Sequence, residues 1–334
     1  MARLFTVTLS FLFFLVILFG IARPVWADLV SGAKKEGQLV WYTTMGVVDH
    51  TKYIALFNKK YPFIDVKVRR AGGSRLIPIL QAEHRAGKYL FDVTMGSRFA
   101  PSFVRSGMFA KYVSPESKHF AKGTVDPEGH WVDVYPTSIG VSYNTEMVPR
   151  DKIPQTWEDL LKPMWKGKIA KDPREIAWYD AVLRTMGKEK GLSFLKRLGQ
   201  QDLQFRVGFT LKQQSLVAGE FPLCLCYVHQ IDRVKKLGAP VDWVKSPDLF
   251  IVNKLHPILI SAKARHPNAA RLFIDFAMSK EAQQLMITLG RTGSSRLDVK
   301  TNFPKSVKFV TEDISVYDRQ KELLEEFERV LKVR

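Results

Sequence analysis

The chain switches repeatedly between two hydrophobic periods, and that alternation restricts its fold more than any single motif does. Gln38 to Tyr42 read as a buried strand, after which Tyr53, Ile54, Phe57 and Tyr61 recur at helical spacing until Pro62. Ile64, Val66 and Val68 then alternate as a second strand. Gly72, Gly73 and Ser74 lead into a helix carrying Leu76, Ile79 and Leu80, with Pro78 expected in its first turn because a helix interior needs the N–H that proline lacks. Phe91 to Met95 form a third strand, which stops at Gly96 and Ser97. Strands alternating with helices build α/β lobes with mainly parallel sheets. Three successive strand ends here finish in hydroxyl or glycine residues, and ligands of open α/β sheets bind outside such carboxyl ends.

The second half repeats this plan. Thr156 and Asp159 form a near capping box, Lys168 to Lys171 read as a strand, and Asp172, Pro173 and Arg174 follow as a loop. Thr210 and Gln213 stand at capping-box spacing and predict a helix whose amino end presents N–H groups. Leu223 to Val228 read as a strand within the stretch CLCYVHQ. Alternation puts Cys224 and Cys226 on one face and Tyr227 and His229 on the other, towards a cleft. The two cysteines are expected to be small buried hydrophobes, because an extended backbone holds them too far apart for a relaxed bridge. Pro267 opens a helix through Leu272, Phe273, Phe276 and Ala277, and Leu323, Leu324, Phe327, Val330 and Leu331 line a final one.

At the amino end Arg3 precedes an apolar run from about Leu9 to Ile21 and a small-residue site at Ala27. This is the pattern of a secretory signal peptide over 1–27, an uncleaved membrane anchor being the alternative, with the mature chain starting near Asp28 and working in the periplasm. About 300 further residues suit two lobes. The 51 Lys+Arg and 33 Asp+Glu leave a net charge of +18, or +16 with Arg3 and Arg23 set aside. Such a field concentrates anions. The basic residues are scattered and no stacking aromatics accompany them, so nucleic acid is not the expected partner.

Thr43, Thr44, Gly73, Ser74, Ser97, Ser138 and Thr210 place hydroxyls, glycine backbone and helix amino ends at the candidate site, an arrangement that holds carboxylates or phosphates. Asp172 lies in the same set of loops, Arg98 and Arg174 are candidate clamps, and Trp178, Tyr179 and Tyr143 are candidate walls for an organic portion. No G-x-S-x-G, G-x-x-x-x-G-K-[ST], G-x-G-x-x-G or H-E-x-x-H motif occurs, and His84, His119, His130 and His256 lack a nucleophile pattern. The reading is a binding protein rather than an enzyme, with no cofactor. A Cys-x-Cys with one histidine supplies at most three of the four ligands zinc needs, so no metal site is assigned.

The segments LVWYTTM, GGSRLIPIL, FDVTMGS, VYPTSIGVSYNTEMVP, PQTWEDLLKPMWKGKIA, VAGEFPLCLCY and HPNAARLFIDFAMSKEAQQLM together resemble the extracellular solute-binding proteins of bacterial ABC importers, in the branch of ferric-iron and small organic-anion receptors. The resemblance implies a two-lobed periplasmic-binding-protein fold with two hinge crossings near 134–138 and 256–261. Lobe 1 would hold 28–135 and 261–334, and lobe 2 137–255. It also implies a monomer that delivers its ligand to a membrane permease, presentation to a sensor kinase being a further use of the fold. Ferric relatives use adjacent tyrosines after a Gly-Glu, with a histidine from the first loop and a glutamate from the third. Those places fall here on about His229 and Gln230, on Met45 or Gly46, and on Ser97, none of them a ligand Fe(III) would prefer. A small anionic solute or metal–anion complex is therefore the expected ligand, with Tyr227 and His229 at the cleft and a ferric receptor as the alternative.

Overall fold

The computed structural model describes residues 25–333 except 292 and 302. The proposed signal segment up to residue 24 lies outside the described residues, as does the side chain of Ser74. The chain opens with α1 (Val25–Glu36), then builds a sheet from β1 (Gln38–Thr43), β2 (Asp65–Arg70), β3 (Val93–Met95), β4 (Phe109–Ala110) and β5 (Val132–Asp133). Between them come α2 (Val47–Lys60), α3 (Gly73–Arg85) and the single turn α4 (Pro101–Val104). A second sheet follows, with β6 (Thr137–Asn144), β7 (Ile169–Lys171), β8 (Gln204–Phe205), β9 (Leu223–Tyr227), β10 (Val241–Trp243) and β11 (Ile251–Lys254). Its helices are α5 (Ile176–Met186), α6 (Lys188–Gly199), α7 (Phe209–Val217) and α8 (Val228–Lys235). The chain returns to the first sheet with β12 (Pro257–Ser261), α9 (Pro267–Met278) and α10 (Lys280–Thr288). It ends on the second with β13 (Phe309–Thr311) and α11 (Gln320–Leu331).

The first sheet runs β2-β1-β3-β12-β4 and the second β13-β11-β6-β9-β7-β8, with β5 on β12 and β10 on β6. The expected α/β lobes are present. Each sheet is mixed, because β12 and β6 arrive from the other lobe and enter antiparallel to β3 and β9. Alternation sorts the core into layers: Trp41 faces a cluster with Tyr53, Phe57, Phe273 and Phe276, while its neighbour Tyr42 faces Leu80, Phe91 and Phe99. In the second lobe Leu223 and Leu225 face Trp178 and Leu198, and Cys224 and Cys226 face the opposite side.

Several expectations are corrected here. The segment 309–331 belongs with the second sheet, since β13 pairs with β11 and Phe327, Val330 and Leu331 complete the second core. The chain thus passes between sheets three times: at Val134–Pro136, at Leu255–His256, and between α10 and β13. Pro78 sits inside α3, beyond its first turn. The Thr156–Asp159 box is formed, with Asp159 accepting from the Thr156 amide at 2.9 Å, but it opens only a 3-10 turn over Glu158–Leu161. Cys224 and Cys226 are bridged, not free: their Cα atoms stand 5.5 Å apart, closer than the ~6.6 Å of two fully extended residues.

The last helix presses its backbone on α6. A Cβ at Gly199 would lie 2.6 Å from the Val330 carbonyl oxygen and 3.0 Å from Leu331 Cα. Gly199→Ala should therefore displace α11 and cost about 1–3 kcal/mol, read as a lowered midpoint in urea unfolding. An unchanged midpoint would mean that α11 does not dock there.

Candidate functional site

At one edge of the first sheet, β1 and β3 end side by side, with the Thr44 amide bonded to the Met95 carbonyl at 3.1 Å. A Cβ at Gly96 would come within 3.1 Å of Thr44 and Leu76, and one at Gly73 would stand 3.7 Å from Ser97 Oγ. Thr44, Gly73 and Ser97 thus form one shelf. Thr43 is not part of it: the residue is fully buried and its hydroxyl accepts the Met45 amide at 3.0 Å. Arg98 follows in the left-handed region at φ 73°, a conformation that costs a non-glycine residue energy and gathers at binding sites. Burial opposes its charge, yet the Glu175 carboxylate of the second lobe, ahead of Tyr317, Tyr227 and Asp172, holds its pKa above the ordinary value.

The facing edge belongs to the second sheet. Antiparallel register sets Lys254 opposite Thr137 and Tyr227 opposite Ile139, so the start of β6 and the ends of β9 and β11 share one edge. Lys171 ends β7 beside them, and Asp172 follows it. Ser138 is spent inside, donating to Asn253 Oδ1 at 2.7 Å. Asp172 ties two loops together by accepting the amides of Gly208 at 2.7 Å and Arg174 at 2.9 Å. Burial would raise its pKa, but those two amides keep it below the ordinary value. The Arg174 side chain is 43 % exposed, with its Nε 3.6 Å from Asp172. Thr210 caps nothing: α7 starts one residue earlier, and its N-cap is Gly208, whose φ of 94° is open to glycine.

The quoted heptapeptide divides where β9 gives way to α8. Tyr227 ends the strand and stacks on Phe209 at 3.6 Å, and burial raises its pKa and favours the phenol. His229 is already helical and buried, so strand alternation does not carry it to the cleft. Its Nε2 accepts from Arg291 Nη1 at 2.8 Å, and Arg291 Nη2 donates to Asp49 Oδ2 at 2.7 Å. Burial, then the charge of Arg291, lowers its pKa well below 6.5 and keeps it neutral. The Arg291 guanidinium also lies 4.5 Å from the Tyr135 ring, which stacks on His256 at 4.7 Å. Trp178 and Tyr179 are fully buried in the second core and Tyr143 packs at its margin, so none walls the cleft.

The residues missed from sequence are charged: Lys171 and Lys254 end strands, Glu175 is the N-cap of α5 and Lys212 lies on α7. Lys254 and Glu175 form an ion pair of 2.9 Å, both almost wholly buried. Lys212 donates to the Leu225 carbonyl at 2.6 Å and sits 4.0 Å above the Phe209 ring. Lys171 lies 3.9 Å from the Trp178 ring, and burial pulls its pKa down to about 7 despite Glu175. The available signal was a lysine closing an apolar run, as in KIAK and IVNK. Among the described residues no three His, Cys, Asp or Glu side chains gather as metal donors, and no helix is long and apolar enough to cross a membrane.

A family model for bacterial extracellular solute-binding proteins matches residues 89–313, more than half of the chain. The protein belongs to that family, and solute capture is its work. An uncharacterized protein of Haemophilus influenzae is 26 % identical over 328 residues, 91 % of this chain and 94 % of the relative. The Fe(3+)-binding periplasmic protein of Serratia marcescens is 24 % identical over 172 residues, covering 48 % of this chain and 50 % of that protein. Among solved structures, the periplasmic binding protein AfuA from Actinobacillus pleuropneumoniae, with exogenous fructose 6-phosphate bound, has a TM-score of 0.73 at 24 % identity. That match covers 89 % of this chain and 99 % of AfuA.

Two outcomes follow. The unfolded chain keeps a proton on Lys171 that the folded protein gives up above pH about 7, so this position adds stability as pH climbs from about 7 towards 10.5. Lys171→Met should abolish that gain, its advantage over the wild type shrinking with rising pH in paired urea titrations. Arg291→Met leaves the buried Asp49 carboxylate without its 2.7 Å partner and should cost about 3–5 kcal/mol, with Asp49→Asn added to the variant recovering part of the midpoint.

Proposed function

We propose that this protein is the periplasmic substrate-binding component of an ABC importer, a monomer exported through its amino-terminal segment. It holds a small anionic solute or metal–anion complex between its lobes and hands it to the membrane permease. The observation that carries this reading is the nearness of two edges: a shelf of Thr44, Gly73 and Ser97 with Arg98 beside it, and on the second lobe the Glu175–Lys254 pair, whose carboxylate acts on Arg98. Backbone amides, hydroxyls and desolvated cations are what a carboxylate or phosphate needs. The three passages between sheets serve as the hinge, and closure around the ligand gives the shape the permease reads. AfuA, similar in fold, supports a phosphorylated solute.

The ferric alternative rests on the Serratia marcescens relative. Against it, the tyrosine-pair positions here hold His229 and Gln230, and His229 is engaged by Arg291. Thermal melting of the ligand-stripped mature protein separates the two. Fructose 6-phosphate, citrate and related anions are expected to include one that raises the midpoint by several degrees. Arg98→Ala should weaken that ligand by about 10- to 100-fold, the value of a hydrogen bond to a charged group. A shift with free Fe(III) alone, with a tyrosinate charge-transfer colour, would overturn the anion reading.

A further inference from the structure

We infer that Glu175 is the specificity residue of this cleft, and that it selects a hydroxylated anion, a phosphorylated or carboxylated polyol, over a bare one. The inference rests on the anion-receptor reading of the same cleft. Glu175 stands just after β7 as the N-cap residue of α5, at the sheet edge that faces Arg98. Its carboxylate is 3 % exposed. One oxygen, Oε1, meets Lys254 Nζ at 2.9 Å, while the other, Oε2, is buried with no hydrogen-bond partner. Burial alone would raise its pKa; Lys254, then Arg98 across the cleft, keep it ionised.

A buried carboxylate oxygen accepts and never donates, so it calls for an O–H or N–H, from water in the empty protein and from a ligand hydroxyl that takes the water's place in the complex. An ammonium is disfavoured, because Lys171, Lys254 and Arg98 all lie close enough for their charges to act on Glu175. A neutral hydroxyl adds no charge to that surrounding. The shelf and Arg98, by contrast, supply donors and call for an anionic acceptor on the same molecule. One solute meets both demands if it carries a negative group at one end and hydroxyls at the other. Sites built to hydrogen-bond a hydroxyl reject analogues lacking it, because the protein group is then left unpaired.

Titration calorimetry on the mature protein tests this with four probes: fructose 6-phosphate, gluconate, methyl phosphate and orthophosphate. At least one polyol anion should bind about tenfold or more tighter than methyl phosphate, and the stronger of the two tells phosphate from carboxylate. Glu175→Gln should bring the ratio of polyol-anion to methyl phosphate affinity down to within about twofold of one, whatever the lost charge does to methyl phosphate alone. Because glutamine leaves Lys254 without its carboxylate, the double variant Glu175→Gln, Lys254→Met is measured alongside, as buried pairs tolerate joint neutral replacement. Methyl phosphate binding as tightly as both polyol anions, or an unchanged preference in both variants, overturns the inference while the anion reading stands. Failure of all four probes, with or without uptake of Fe(III), defeats that reading and the inference together.

Discussion

One dehydrated guanidinium ties the two lobes to each other. Arg291 follows α10, reaches Asp49 on α2 of the first lobe and His229 on α8 of the second, and lies on Tyr135 where the chain first passes between the sheets. Tyr135 in turn stacks on His256, the second passage. A buried cation keeps its stability only while its partners stay in place. The contacts of Arg291 thus join helices of both lobes in the arrangement seen here, and any closing motion of the kind proposed has to keep or exchange them.

That constraint frees the cleft edges to carry binding groups. The first lobe offers neutral donors and one arginine in a strained backbone conformation. The second offers buried lysines balanced by Glu175 and Asp172. Tyr227, stacked between Phe209 and His229, stays a neutral phenol, a poor start for iron. The family match sets the task, and these edges narrow its object.

The layered α/β plan was legible because β1, β2 and the amphipathic helices are long enough for their periods to show, and the shelf was legible because loops after parallel strands converge. Thr43 and Ser138 could not be told from Thr44 and Ser97 by type. Whether a hydroxyl faces a ligand or caps its own chain depends on the direction of a single bond, as the Thr43–Met45 contact shows. His229 was misplaced because strand parity was carried one residue past the start of α8. Strand β13, three residues long, has no periodic signature, so the return of the chain end to the second lobe was invisible even though the apolar stripe of α11 was plain. Glu175 and Lys254, far apart in sequence, find each other only in the fold.

The separation of surface charge from buried charge has a kinetic meaning. Most of the basic excess, +16 without Arg3 and Arg23, lies on solvated side chains, whose long-range pull fades beyond ~8 Å at physiological ionic strength. Lys171, Lys212 and Lys254 are each no more than 2 % exposed, where mobile ions do not reach. An anion of the kind proposed would therefore arrive more slowly in salt while its dwell time changes less, so that a cell meeting brackish or dilute surroundings would change how fast such a receptor fills rather than how firmly it holds.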